Sequence, residues 1–427
     1  VRRLYTILER ARCRDMKILL VHNFYGSSSP SGENRAFLDE ADLLRRHGHA
    51  VVEFTRHSDD IRNLGPSGTV LGALSTPWNP FAMRELRRTI ERETPDVMHV
   101  HNTFPLISPA AFYAMGNLPA ATVMTLHNYR IFCAAAIPMR SGLPCTECLD
   151  KGAVLPALTH GCYRGSRLAT VPLAAKIALH RMTGTWTDKV DAFISLTEFQ
   201  RHRIIDAGLP ADIVHVKSPC HPCPPSPVPW SQRENKVVFI GRIGPEKGLH
   251  LLLDAWLHWG KDAPFLEIIG EGPERQTLET RVVRQALKDK ITFAGPLPFS
   301  ETQARLARAR LLTLPSLSYE GFPLVIREAF SLAVPVAASR IGSLPCIVAD
   351  GKTGVLFSPG SPCDILRSVK DLWGDGEKLE RMGDAARMEF GKACAGDVNH
   401  DALMRIYDCA MSRRQERLSV RGRAFSR

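Results

Sequence analysis

The chain has 427 residues, 44% of them hydrophobic, with 55 Lys and Arg against 44 Asp and Glu for a formal charge of +11. Such a chain can bury a sizeable core, which excludes a disordered polymer and a miniature disulfide scaffold. At about 150 residues per domain it asks for two or three domains, two being the economical count. The charge alone admits a nucleic acid, an anionic membrane, an anionic small substrate or basic tails as its reason. Its placement discriminates: residues 1–14 carry a net +4 and residues 413–427 a net +5, leaving +2 for everything between. The basic balance thus belongs mainly to two segments expected to be mobile tails, and no nucleic-acid partner is expected.

The chain has eleven cysteines, and its opening, VRRLYTILERARCRD, has arginines but no apolar signal core. A reducing cytoplasm is the expected setting. MKILLVH, from Met16, opens a buried strand and marks a second candidate start of the natural frame. No window approaches the roughly 18 apolar residues of a membrane span, and the most apolar stretch, 168–182, carries Lys176, His180 and Arg181. A soluble protein, or one resting on a membrane surface, is expected.

In chain order, β-branched runs at 18–22, 51–55, 97–101, 122–126 and 192–196 read as strands, with helical patterns at 33–47 and 81–92 between them. Apolar strands joined by helical crossovers predict a parallel sheet covered on both faces. Residues 218–230, SPCHPCPPSPVPW, hold six prolines and read as a linker. The rhythm restarts at 237–241, 266–270, 291–294, 311–315, 336–339 and 355–357. The fold class is therefore α/β, two Rossmann-like doubly wound halves facing across a cleft, with ligands beyond the carboxyl ends of the strands.

Two segments carry the chemistry. In LPSLSYEGFPLVIREAF, Glu320 falls in a strand-to-helix turn and Glu328 inside a helix expected to begin near Phe322. Free backbone NH groups at Gly321 and Phe322 suit a phosphate or sugar oxygen, and the acids can accept from hydroxyls. Read alone, the same acids are an electrostatic cap and a solvated helix residue. In VVFIGRIGPEKGLHLLLDA, a strand ends at Gly241 and Arg242 and Lys247 occupy the turn beyond it. An arginine fork and a lysine point charge at a strand's carboxyl end can hold a diphosphate. His127 ends a strand of the first half. His99 and His101 share one face of another; packing is expected for His99, cleft lining for His101, and no catalytic metal.

These pieces together resemble the retaining glycosyltransferases of family 4, which have the GT-B architecture. The resemblance covers most of residues 16–412 and rests on SPSGENRAF, PDVMHVHNT, VMTLHNYR, FIGRIGPEKG, LEIIGEGPE and SYEGFPLVIREAF in that order. It implies that Arg242 and Lys247 grip a donor diphosphate, that Glu320 stands beside the donor sugar and that Glu328 binds the ribose. It places His127 near the reacting sugar and Gly32 in a loop whose NH groups approach the phosphates, although Ser31 stands where the family often has a second glycine. Gly241, Gly270 and Glu271, Gly321 and Phe322 complete the donor site, with residues after Gly295 forming part of the wall around the base. The activity implied is retaining transfer from a nucleoside-diphosphate sugar to a saccharide or lipid-linked saccharide acceptor, in cell-surface polysaccharide or glycolipid assembly, without a catalytic cofactor.

The layout so implied is a basic extension at 1–15, an acceptor domain at 16–217 with an insertion at 128–166, a linker at 218–234, a donor domain at 235–395, a helix at 396–412 packing back toward the first domain, and a basic tail at 413–427. The insertion is a variant feature within the family. Its Cys133, Cys145, Cys148 and Cys162 are a candidate structural zinc set, reduced free thiols being the alternative; Cys220 and Cys223 around His221 are a weaker pair. From residue 151 to 187 there are five Lys or Arg and no acid. This stretch reads either as a peripheral contact with the inner face of the plasma membrane or as a core helix with snorkelling cations. Alternatives to the transferase are a nucleotide-sugar epimerase of the same architecture, a catalytically silent nucleotide-sugar binder and a basic nucleic-acid binder.

Overall fold

The computed structural model describes residues 15–26 and 31–425; the expected extension at 1–15 lies outside them except for Asp15. The first domain is built on β1 (Lys17–Phe24), β2 (Ala50–His57), β3 (Val97–Asn102), β4 (Ala121–Leu126), a two-stranded hairpin of β5 (Met139–Arg140) and β6 (Leu143–Pro144), β7 (Ala192–Ser195) and β8 (Val214–Val216). Its main sheet is parallel throughout, in the order β2-β1-β3-β4-β7-β8. The second domain carries β9 (Lys236–Ile240), β10 (Phe265–Ile269), β11 (Ile291–Gly295), β12 (Leu311–Leu314), β13 (Val336–Ser339) and β14 (Gly354–Phe357). That sheet is also parallel, in the order β11-β10-β9-β12-β13-β14. The order reverses next to β1 in one sheet and next to β9 in the other, which puts the crevices at the ends of those strands.

Helices on both faces explain why the strands read as unbroken apolar runs: Ile18, Leu19, Leu20 and Val21 are all fully buried. Odd and even residues of β1 feed different clusters, Leu19 and Val21 joining Phe112 and Phe193, Ile18 and Leu20 joining Phe37 and Tyr407. The second domain is layered likewise, with Phe239 and Trp256 on one side of its sheet and Val238 and Phe330 on the other.

The structure departs from the sequence expectations in four places. The three-residue β8 at the sheet edge was not expected, being too short to show a pattern. The helix holding Glu328 starts at Leu324 rather than Phe322, because Pro323 caps it in an extended conformation. The proline-rich segment is no free linker: Cys220 and His221 are buried, and the His221 NH bonds the Cys394 carbonyl where the chain returns. Most clearly, the C-terminal tail is helical. One helix runs Gly396–Phe425 along the first domain, beyond the expected 396–412. Its arginines are anchors: Arg414 is buried and donates to the carbonyls of Gly116 and Leu118, and Arg417 pairs with Asp191 at 2.6 Å.

Candidate functional site

The turn after β9 is folded tightly against the end of β12. Gly248 adopts φ +64°, and a Cβ there would stand 2.1 Å from the Pro315 carbonyl oxygen, so only glycine permits the approach. The Leu317 NH bonds the Glu246 carbonyl at 2.8 Å and ties the two loops together. The result is that Lys247, from the first loop, donates to Glu320 Oε2 in the second at 2.6 Å, while Ser316 donates to the other carboxylate oxygen at 2.5 Å. Arg242, nearly half exposed, pairs with Glu246 at 2.7 Å. Both expected cations thus meet the crevice with carboxylates that a bound diphosphate would have to displace or share.

Gly321 is one of the places where the two domains touch. A Cβ on it would lie 2.7 Å from the His127 carbonyl oxygen and 3.4 Å from Gln200 Nε2, itself bonded to the Leu126 carbonyl. Ser343 donates to the Glu320 carbonyl and lies 3.2 Å from the Thr197 hydroxyl of the first domain. The Glu320 loop is therefore seated on the end of β4. Phe322 packs among the apolar residues of the second domain. Gly32 opens its helix behind the Ser31 N-cap, and a Cβ on it would lie 3.6 Å from the Leu324 side chain, so this loop also approaches the Glu328 helix.

Glu328 is buried and accepts from Gln303 Nε2 at 2.9 Å. Burial raises its pKa above the usual carboxylate range, against the pull of Arg327. Arg327 bridges the domains, reaching Asp39 at 2.9 Å and the Cys220 carbonyl, while Arg35 lies over the Phe299 ring at 3.8 Å. Gly241 and Gly270 lie at adjacent strand ends, the Gly241 NH on the Ile269 carbonyl and the Gly270 NH on that of Gly295. Glu271 pairs with Arg275 at 2.5 Å at the rim.

Behind His127 runs a buried chain of polar groups. His127 Nε2 lies 3.0 Å from His101 Nδ1; His101 Nε2 lies 3.1 Å and His99 Nδ1 3.0 Å from Glu40 Oε1. Lys217 donates to Glu40 Oε2 at 2.8 Å and to Asn399, and His99 is also bonded to Tyr407 and Thr125. Burial depresses the His127 pKa well below its ordinary value, and His101 and His22 push the same way. Burial would raise the Glu40 pKa, but Lys217 and His99 overcome it and hold the carboxyl well below its usual range. Glu40, His99 and His101 are close enough to share a metal ion, with ligand atoms within 4.8 Å of one another. Lys217 and Tyr407 already satisfy part of this set, which favours hydrogen-bonded positioning. His99 is thus packed as expected, and His101 lines the cavity below His127.

The insertion brings its four cysteines near one another as free, half-buried thiols. Burial pushes Cys133 up to about 12 and Cys148 to about 11, and the sulfurs of Cys162 and Cys145 act on Cys148 in the same direction. Among the described residues only the Glu40 set meets within 4.8 Å, so the sulfurs are neighbours without being in ligating register. In the 151–187 stretch the core-helix reading needs a change. Lys176 and His180 of the Arg167–Met182 helix turn inward instead of snorkelling, while Leu168 and Met182 are more than four-fifths exposed.

Sequence reading missed Glu40, Lys217, Arg327, Gln303 and Ser343. Arg327, next to Glu328 on an otherwise apolar helix, was the one with a visible signal.

Comparison with known proteins agrees with this two-domain architecture. Residues 30–219 match the family model of Glycosyltransferase Family 4, and residues 226–389 that of Glycosyl transferases group 1. The sulfoquinovosyl transferase SQD2 of Arabidopsis thaliana is 36% identical over 161 residues, 36% of this chain and 30% of that protein. The alpha-D-kanosaminyltransferase of Streptomyces kanamyceticus is 29% identical over 168 residues, 38% of this chain and 43% of that one. These matches span less than half the length of those relatives. Among solved structures, Anabaena HepE in complex with UDP and glucose aligns over 92% of this chain and all of its own, with TM-score 0.63 and 17% identity. The sucrose-phosphate synthase of Thermosynechococcus elongatus aligns over 92% and 98%, with TM-score 0.63 and 16% identity. At such identity the likeness is one of fold. That fold is GT-B, two Rossmann-like domains around a cleft.

Proposed function

We propose that this chain is a retaining glycosyltransferase that moves a sugar from a nucleoside diphosphate to an acceptor hydroxyl in cell-surface polysaccharide or glycolipid assembly. The observation that carries the reading is the Lys247–Glu320 pair at the ends of β9 and β12, seated through Gly321 on the His127 end of β4. Arg242 and Lys247 would hold the diphosphate and stabilise charge on it as the glycosidic bond breaks. Glu320 would accept from hydroxyls of the sugar and Glu328 from those of the ribose, with the NH groups of Gly321 and Phe322 and the Gly32 loop adding donors. Gly241, Gly270 and Glu271 would border the base. His127, kept neutral by burial, would bond a sugar oxygen without competing for the proton.

Retention follows if donor and acceptor share one face, the departing phosphate taking the acceptor's proton; catalysis is then largely positioning and electrostatics. Two finer elements belong to the reading: zinc bound by Cys133, Cys145, Cys148 and Cys162 as a clip on the insertion, and contact of the first domain with the inner leaflet of the plasma membrane, where a lipid-linked acceptor would be met. No helix among the described residues is long and apolar enough to cross a membrane.

The test is incubation with a panel of UDP- and GDP-sugars, following release of the nucleoside diphosphate. One donor is expected to be consumed, and Lys247→Ala to lower kcat by about a hundredfold or more while donor KM changes severalfold. Normal turnover by that variant, or no consumption of any donor, would sink the assignment.

A further inference from the structure

Below His127 the cleft continues into a cavity whose wall includes Asn128, Arg130 and Lys176. Lys176 is only 3% exposed, and no hydrogen bond or ion pair reaches it among the described residues. Its ammonium lies 5.9 Å from the Phe104 ring, over which the Arg130 guanidinium stacks at 4.3 Å. Arg130 Nε and Nη1 are buried without a partner. Glu33 is the acid that faces Arg130, but one of its oxygens is taken by Asn128 and burial raises its pKa, with Arg130 opposing. Burial, reinforced by Arg130, depresses the Lys176 pKa far below a lysine's usual value.

A guanidinium with buried donors left unfilled, beside a lysine that holds its proton poorly there, is costly unless an anion completes the pair and restores the lysine's charge. The donor diphosphate has its own cations in Arg242 and Lys247, on the other domain. We propose that Lys176 and Arg130 form an oxyanion subsite that binds a phosphoryl group on the acceptor, close to the hydroxyl that receives the sugar. The site rests on the transferase reading for its role and on its own residues for its existence. A fork from Arg130 and a point charge from Lys176 suit a phosphoryl group, whether it belongs to a soluble sugar phosphate or to a lipid phosphate.

Calorimetric titration of inorganic phosphate into the full chain carrying Arg242→Ala and Lys247→Ala reads this site without the donor cations. Binding is expected, and adding Lys176→Met should weaken it by about tenfold or more. Arg130→Met, on the partly exposed loop, should give the same loss and serves if the helix variant folds poorly. Phosphate binding indifferent to both side chains, or abolished by the donor-side changes alone, overturns the proposal. Competition by glycerol 3-phosphate or by phosphatidic acid vesicles, lost on Lys176→Met, tells a soluble from a lipid source; competition by both that ignores Lys176 also overturns it. Binding of UDP and GDP to wild type and to Lys176→Met is measured separately. Equal nucleotide binding is expected, and joint loss of nucleotide and phosphate counts against a local site; a wild type that binds phosphate but no nucleotide would fail the donor reading alone.

Discussion

Glu40 is a single acid facing one ammonium and two imidazoles: Lys217 at 2.8 Å, His99 at 3.0 Å and His101 at 3.1 Å. Its carboxylate sets which nitrogen of His101 carries the proton, and so which one faces His127. Glu40→Gln keeps the shape and removes the charge. It is expected to lower kcat by about tenfold with donor KM little changed, because the effect reaches the sugar only through the His127 orientation. The same variant leaves Lys217 buried without its anion, a loss of about 3 kcal/mol or more. Glu40→Gln with Lys217→Met relieves that second effect without restoring the first. Thermal unfolding of the double variant should approach wild type while kcat stays low; recovery of kcat with stability would show that Glu40 merely holds the fold.

At the scale of elements, what could be read from the chain depended on how far apart the cooperating residues lie. Glu320 and Glu328, or Arg242 and Lys247, each share a single strand-to-helix unit, so each pair falls in one short motif that the family resemblance could single out where spacing alone would not. Eleven of the fourteen strands, all but β8 and the two of the small hairpin, have apolar runs that a parallel sheet buried on both faces demands. The Arg327–Asp39 pair spans 288 positions and the Lys217–Asn399 bond 182, contacts that no local pattern carries. The insertion is intermediate: its cysteines are visible, its register is not. It has a sparse core, Ala134, Ala157, Leu173 and Ile177, with Cys148 and Cys162 packed against it. A metal would supply the cohesion that so few buried groups cannot, and would lower the raised thiol pKa values on binding. Elemental analysis of freshly purified protein is expected to find about one zinc per chain, lost in Cys148→Ser together with several degrees of thermal stability. Freshly purified protein that holds no zinc and unfolds at the same temperature as Cys148→Ser would remove the zinc reading.

The whole molecule joins its halves by more than the proline-rich crossing. The Gly396–Phe425 helix leaves the second domain and lays Leu403, Ile406 and Tyr407 against the first domain's sheet. The basic C-terminal segment, taken from composition as a tail, is therefore partly spent on anchoring, and the surface that could meet a membrane lies elsewhere. The Gly65–Ser75 helix packs beside the Arg167–Met182 helix, and together they expose Val70, Leu74, Leu168, Val171 and Met182. Lys151, Arg164, Arg167 and Arg181 are exposed around this face. Apolar side chains rimmed by cations suit the boundary of an anionic bilayer, each cation adding about 1 kcal/mol near the surface. Flotation with phosphatidylglycerol vesicles should carry the protein upward, and neutral phosphatidylcholine vesicles or high salt should not. Leu168→Asp with Met182→Asp should abolish flotation and leave nucleotide binding intact, since both residues point away from the cavity that Lys176 of the same helix enters. Flotation unchanged in that variant, or none with anionic vesicles, would return this face to ordinary solvent-exposed surface.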